Sequence, residues 1–166
     1  TLALAKTENP TYLRLAREKT PVVTTEQSPF EIGKANIMWL STEPEVAIFA
    51  CGPIVYNALS AAKRLAEEGV QVTVINLHTI KPIDKETIIA EARKAGAVVT
   101  TEEHQIAGGM GSTVAEVLAA SAPMPIEFLG VHDEFGQSGD PRELIEHYGI
   151  GITHIMDAVK RVIKRK

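Results

Sequence analysis

Four short runs in this sequence are apolar on both of their alternating faces, at 46–50, 70–77, 97–101 and 125–129, and a stretch of helical spacing follows each. A strand that is apolar on one face only suits a sheet open to water. One that is apolar throughout, as in Val46-Ala47-Ile48-Phe49-Ala50, must be covered on both sides. Strands alternating with helices therefore predict a mainly parallel sheet between two helical layers, with right-handed crossovers.

The helices carry their own punctuation. Ala58, Ala61, Ala62 and Leu65 repeat at helical spacing, and Gly69 stands where that helix should stop. Asp84 is placed to cap the next helix, with Ile83 and Ile88 as a hydrophobic staple, Ile88, Ala92 and Ala95 on one face, and Gly96 at the end. Val114, Val117 and Leu118 mark a third helix over 112–121. Asp140, Pro141 and Glu143 open a short one that ends near Gly149, and a last helix from about Thr153 turns Ile155, Val159 and Val162 inward. Residues 37–40 and 46–50, joined through Ser41-Thr42-Glu43-Pro44, read as a hairpin, so the first strand should run antiparallel. The expected fold is a three-layer α/β/α sandwich with four parallel strands and one antiparallel strand. Upstream, Thr11-Tyr12-Leu13-Arg14-Leu15 reads as a lone strand after the turn signal Asn9-Pro10, and 20–29 reads as a connector.

Composition narrows the function classes. A chain of 166 residues, 45% apolar and 23% charged, is sized for one domain with a sizeable core. Its net charge of −4 argues against nucleic acid as a partner. No apolar run approaches the roughly 20 residues of a spanning helix, which argues against a membrane. The single cysteine, Cys51, fits a reducing, cytoplasmic setting. The terminal cations Lys160, Arg161, Lys164, Arg165 and Lys166 are expected to complement a helix C-terminus.

Candidate chemistry gathers after the C-terminal ends of the parallel strands, the edge where α/β sheets place ligands. Gly108, Gly109, Gly111 and Ser112 lie between a strand and a helix, where backbone amides can cradle a phosphate. The run lacks the lysine of a P-loop, and Val114 stands where a dinucleotide fingerprint needs Gly or Ala. A tight turn that permits close packing is the alternative. Glu102 and Glu103 are adjacent in an extended stretch, so they point to opposite faces and are not an acid/base pair; with His104 they suit a partner contact or a hydrogen-bonded helix cap. His132 and Asp133 precede Ser138 in the last strand's loop, without the elbow that would expose a nucleophile. No catalytic residue and no metal set is expected. His78 and Cys51 are read as structural.

Taken together and in this order, several segments resemble the transketolase family. They are Pro10-Thr11-Tyr12-Leu13-Arg14-Leu15-Ala16-Arg17, Phe30-Glu31-Ile32-Gly33-Lys34-Ala35, Asn76-Leu77-His78-Thr79-Ile80-Lys81-Pro82-Ile83-Asp84, Thr101 to Ser112, and Gly130 to Gly139. The resemblance implies a C-terminal domain over 36–166, a linker over 22–35, and a remnant of the preceding pyrimidine-binding domain over 1–21. It implies that the parent transfers a two-carbon ketol unit between sugar phosphates as a homodimer, using thiamine diphosphate and a divalent metal such as magnesium. Those groups are held by other domains or a partner subunit, so this chain alone is expected to bind neither and to be inactive, contributing packing and dimer contacts. Arg17 matches the family arginine that contacts the substrate phosphate, a role suited to a charge-assisted, bidentate bond. Deoxyxylulose-phosphate synthase and the beta subunits of 2-oxo acid dehydrogenases share the domain, and the segment Thr79-Ile80-Lys81-Pro82-Ile83-Asp84 favours transketolase over both. A phosphate- or nucleotide-binding regulatory module is the reading from another class.

Overall fold

The computed structural model describes residues 1–166. Five strands and five helices alternate: β1 (Asn36–Trp39), β2 (Val46–Ala50), α1 (Val55–Glu67), β3 (Val72–Asn76), α2 (Lys85–Ala95), β4 (Val98–Gln105), α3 (Met110–Ser121), β5 (Ile126–Val131), α4 (Pro141–His147) and α5 (Ile152–Ile163). The sheet order is β1-β3-β2-β4-β5, parallel except for β1.

β2 sits at the centre because every one of its side chains is apolar and fully buried. Val46, Ile48 and Ala50 face one core with α1 and α5; Ala47 and Phe49 face the other with α2 and α3. The two cores hold 20 and 12 buried residues, so the larger layer lies under α1 and α5. Burying each larger side chain contributes about 1.5–3 kcal/mol.

The helix ends follow the sequence signals. Asp84 accepts from the Thr87 amide at 3.1 Å and its hydroxyl at 2.8 Å, and Gly96 closes α2 in the left-handed conformation. Asp140 accepts from the Arg142 amide at 2.9 Å. The terminal cations, expected to complement the end of their own helix, reach across to other elements: Lys160 to Glu68 at 2.7 Å, Arg161 to Glu127 at 3.2 Å, and Lys166 to the Ala95 carbonyl at 2.5 Å.

Three expectations change. β1 is antiparallel, but its partner is β3 and there is no hairpin with β2. A wholly apolar β2 needs a parallel neighbour on each side, whereas a four-residue strand with Ile37 partly in water suits an edge. Thr11-Tyr12-Leu13-Arg14-Leu15 forms no strand and pairs with neither edge of the sheet, β1 or β5. Finally, β4 runs on to Gln105 and α3 begins at Met110, so Glu102, Glu103 and His104 stand on the strand itself.

Candidate functional site

At the C-terminal edge of the sheet, β2 leads to β3 on one side while β4 leads to β5 on the other. The crevice between β2 and β4 is the point where an open α/β sheet usually admits a ligand. Here the chain fills that place with its own groups.

Glu102 turns toward α3 and is only 4% exposed. One carboxylate oxygen accepts from the Met110 amide at 2.7 Å, the other from the Gly111 amide at 2.8 Å. These are the amides a helix N-terminus would offer to an anion. The glycines make the approach possible. A Cβ on Gly109 would meet the Glu102 carboxylate and the Gln105 carbonyl at 2.5 Å, and one on Gly111 would meet the Thr100 hydroxyl at 2.5 Å. Gly108 takes φ +76, and its amide donates to the Ser112 hydroxyl at 3.0 Å, which in turn donates to the Ile106 carbonyl at 2.7 Å. The glycine-rich run is thus a turn built around an internal carboxylate, and a phosphate would have to displace Glu102.

Glu103 faces the other way. Its carbonyl accepts from Arg14 Nη2 at 3.0 Å. Burial pushes the Glu103 carboxyl above its ordinary range, with the Arg14 charge pulling against that shift. Cys51, at the end of β2, lies in the same field. Burial raises its thiol to about 12, Glu102 adds to the rise, and Arg14 opposes it. A thiol so placed stays protonated near neutrality and is a poor nucleophile.

The remaining candidates do not converge. The His104 ring is exposed, with Nδ1 2.9 Å from the Gln105 carbonyl. His132 and Ser138 take part in no side-chain hydrogen bond, and the Asp133 backbone amide donates to Gln105 Oε1 at 2.8 Å, so no Ser/His/Asp trio forms. The Arg17 side chain is 96% exposed and pairs with Glu18 at 3.6 Å. His78 stacks on Phe30 with ring centroids 4.4 Å apart, and burial lowers its pKa. No group of three or more His, Cys, Asp or Glu side chains converges to hold a metal. With the α3 amides taken by Glu102 as well, the donor set here does not fit a diphosphate–metal pair. An open groove of about 400 Å³ beside β1 is lined by Ser28, Pro29, Ala35, Asn36, Ile37 and Met38, none of them titratable. No helix is long and apolar enough to cross a membrane.

Sequence reasoning missed Arg14 on the Glu103 carbonyl, Gln105 on the Asp133 amide, and the Tyr148 hydroxyl on the Phe135 carbonyl. All three join residues far apart in the chain, and nothing local signals them.

Comparison with known proteins identifies the domain. Residues 33–155 match the family model described as "Transketolase, C-terminal domain". The chain is similar to a 6-deoxy-6-sulfo-D-fructose transketolase subunit of a Clostridium species, 39% identical over 96% of this chain and 49% of the relative. It is similar to an apulose-4-phosphate transketolase subunit of Phocaeicola vulgatus, 34% identical over 94% and 49%. A solved split-gene transketolase, described as an inactive beta4 tetramer, superposes with a TM-score of 0.92 at 40% identity, over 98% of this chain and 52% of the other. The chain therefore spans about half the length of these relatives. A buried carboxylate capping α3, a sheet of this order, and these matches lead to one assignment: the chain belongs to the transketolase family and carries its C-terminal domain.

Proposed function

We propose that this domain serves as the C-terminal half of a thiamine-diphosphate-dependent transketolase subunit, which moves a two-carbon ketol unit between sugar phosphates. Its part is scaffolding and subunit contact, in a dimer-forming cytoplasmic enzyme. Thiamine diphosphate and magnesium would be held by the rest of the subunit or by a partner subunit. Arg17 is the one residue of this chain assigned to substrate, through the phosphate. The carrying observation is Glu102: its bonds to Met110 and Gly111 occupy the amides best placed to take an anion. That same occupation weighs against a nucleotide- or phosphate-binding module.

The test is ketol transfer with thiamine diphosphate and magnesium supplied, comparing the 166-residue chain with a subunit extended to the length of its relatives together with its partner polypeptide. Turnover is expected only in the second case. Reproducible transfer by the short chain alone would overturn the proposal.

A further inference from the structure

The loop between β5 and α4 is held from both flanks and yet carries a bare aromatic ring. Gln105, the last residue of β4, accepts from the Asp133 amide at 2.8 Å and donates from Nε2 to the Glu134 carbonyl at 3.4 Å. From the far side, the Tyr148 hydroxyl donates to the Phe135 carbonyl at 3.3 Å and accepts from the Gln137 amide at 3.0 Å. Asp133 adopts φ 51, a left-handed conformation that a non-glycine residue takes at a cost. Amid this restraint, the Phe135 side chain is 100% exposed.

Flexible loops expose apolar side chains at little consequence, because the ring can fold back on its own chain. A loop whose backbone is fixed on both sides of the ring cannot do this. Such a phenylalanine is pre-organised, with part of the ordering cost of binding already met within the fold. Buried aromatic anchors of this kind dominate interface energetics.

The occupant follows from what else arrives at this edge. Arg14 docks on Glu103, two residues before Gln105, and this is the one hydrogen bond that ties residues 10–24 to the rest of the chain. Along that segment Tyr12, Leu15 and Val22 are exposed. The relatives carry about as much sequence again as this chain matches. We infer that Phe135 anchors the β5–α4 loop in an apolar pocket of the other half of the same transketolase subunit. The inference rests on the proposed function, in which such a half exists. Asp133 and Glu134 before the ring and Asp140 and Glu143 after it, against the single cation Arg142, leave this edge net negative and favour a pocket rimmed by cations.

Amide hydrogen exchange tests it in the subunit extended to the relatives' length. Peptides covering 131–139 should exchange about tenfold more slowly there than in the 166-residue chain. Phe135→Ala should remove that protection and also speed exchange in at least one peptide of the other half. The Phe135 ring lies wholly in water within this chain, so the melting temperature of the 166-residue chain should be unmoved by the substitution. If Phe135→Ala changes no peptide outside 131–139, the anchor is refuted. Protection that appears in the short chain and grows with its concentration would assign the loop to a second copy and refute the stated occupant. Ketol transfer read on the same samples separates the two proposals: an active subunit with an unprotected loop overturns the anchor alone, and an inactive one with a protected loop counts against the transketolase reading alone.

Discussion

Asp84 accepts a hydrogen bond from the Ala35 amide at 2.9 Å, across 49 residues of sequence, while the same carboxylate caps α2 through Thr87. One side chain thus fixes both the start of a helix and the entry of the chain into β1. Asp84→Ala should cost more than an isolated cap, about 2 kcal/mol, because the Ala35 amide loses its partner as well. Partial burial works to raise the Asp84 pKa, but the bonds from Ala35 and Thr87, helped by Lys34, outweigh it and hold the carboxyl below its ordinary range. A depressed carboxyl contributes stability above its unfolded pKa of about 3.9 and loses it as pH falls through the folded value. The gap in urea midpoint between wild type and Asp84→Asn should therefore be full at pH 6 and shrink below about pH 4.

Glu102 should be among the most sensitive polar positions. Truncation to alanine strands two buried amides, so Glu102→Ala is expected to lose about 2–4 kcal/mol, measured by chemical denaturation. Gly111→Ala should also destabilise, since its new methyl would press on the Thr100 hydroxyl and the Phe128 ring. A Glu102→Ala variant as stable as wild type would show that the cap contributes nothing.

Cys51 should resist alkylation in the native state. With its thiol raised to about 12, the thiolate fraction near pH 8 is very small. Labelling with a chromogenic disulfide should be slow at pH 8 and become fast in denaturant. Rapid stoichiometric labelling of the folded protein would contradict the raised thiol of this half-buried residue.

His78 gives a pH dependence on the acid side of neutrality. Burial lowers its folded pKa, so the unfolded chain binds the proton more readily, and stability should fall as pH drops through about 6.5 toward the folded value. His78→Gln should flatten that part of the stability profile, as followed by thermal melts between pH 7.5 and 5.

Arg17 should matter for substrate and not for folding. In the extended subunit with its partner, Arg17→Ala is expected to raise the KM for sugar phosphates by about tenfold or more, the loss of a charge-assisted bond. With its side chain in water, the melting temperature should stay put.

The sheet's interior was legible in the sequence because β2, β3 and β4 have no polar alternation to mislead, and the caps at Asp84 and Asp140 act within four residues of themselves. Pairing was another matter. Residues 37–40 and 46–50 look like a hairpin locally, yet which strand lies beside which is decided by competition for β2, a contest between distant segments. Thr11 to Leu15 has strand-like residues, but a strand exists only where a partner does. At the candidate site the sequence offered Glu102, Glu103 and His104 as a helix cap or a partner contact, and Glu102 is the one that caps. That Glu102 is the carboxylate turned toward α3 depends on register, and the clasp of Gln105 and Tyr148 on the loop of Phe135 depends on tertiary proximity alone.

The path from Arg14 to β1 has a mechanical corollary. From β4 to β1 the sheet is three strand spacings wide, about 14 Å, while the roughly twenty residues between Arg14 and Asn36 could stretch about 65 Å. The tether is slack several times over. Between its ends the line is held at separate footholds, the guanidinium bond at Glu103, the half-buried Val23 and the ring stack at His78, so strain at Arg14 is not passed taut to β1.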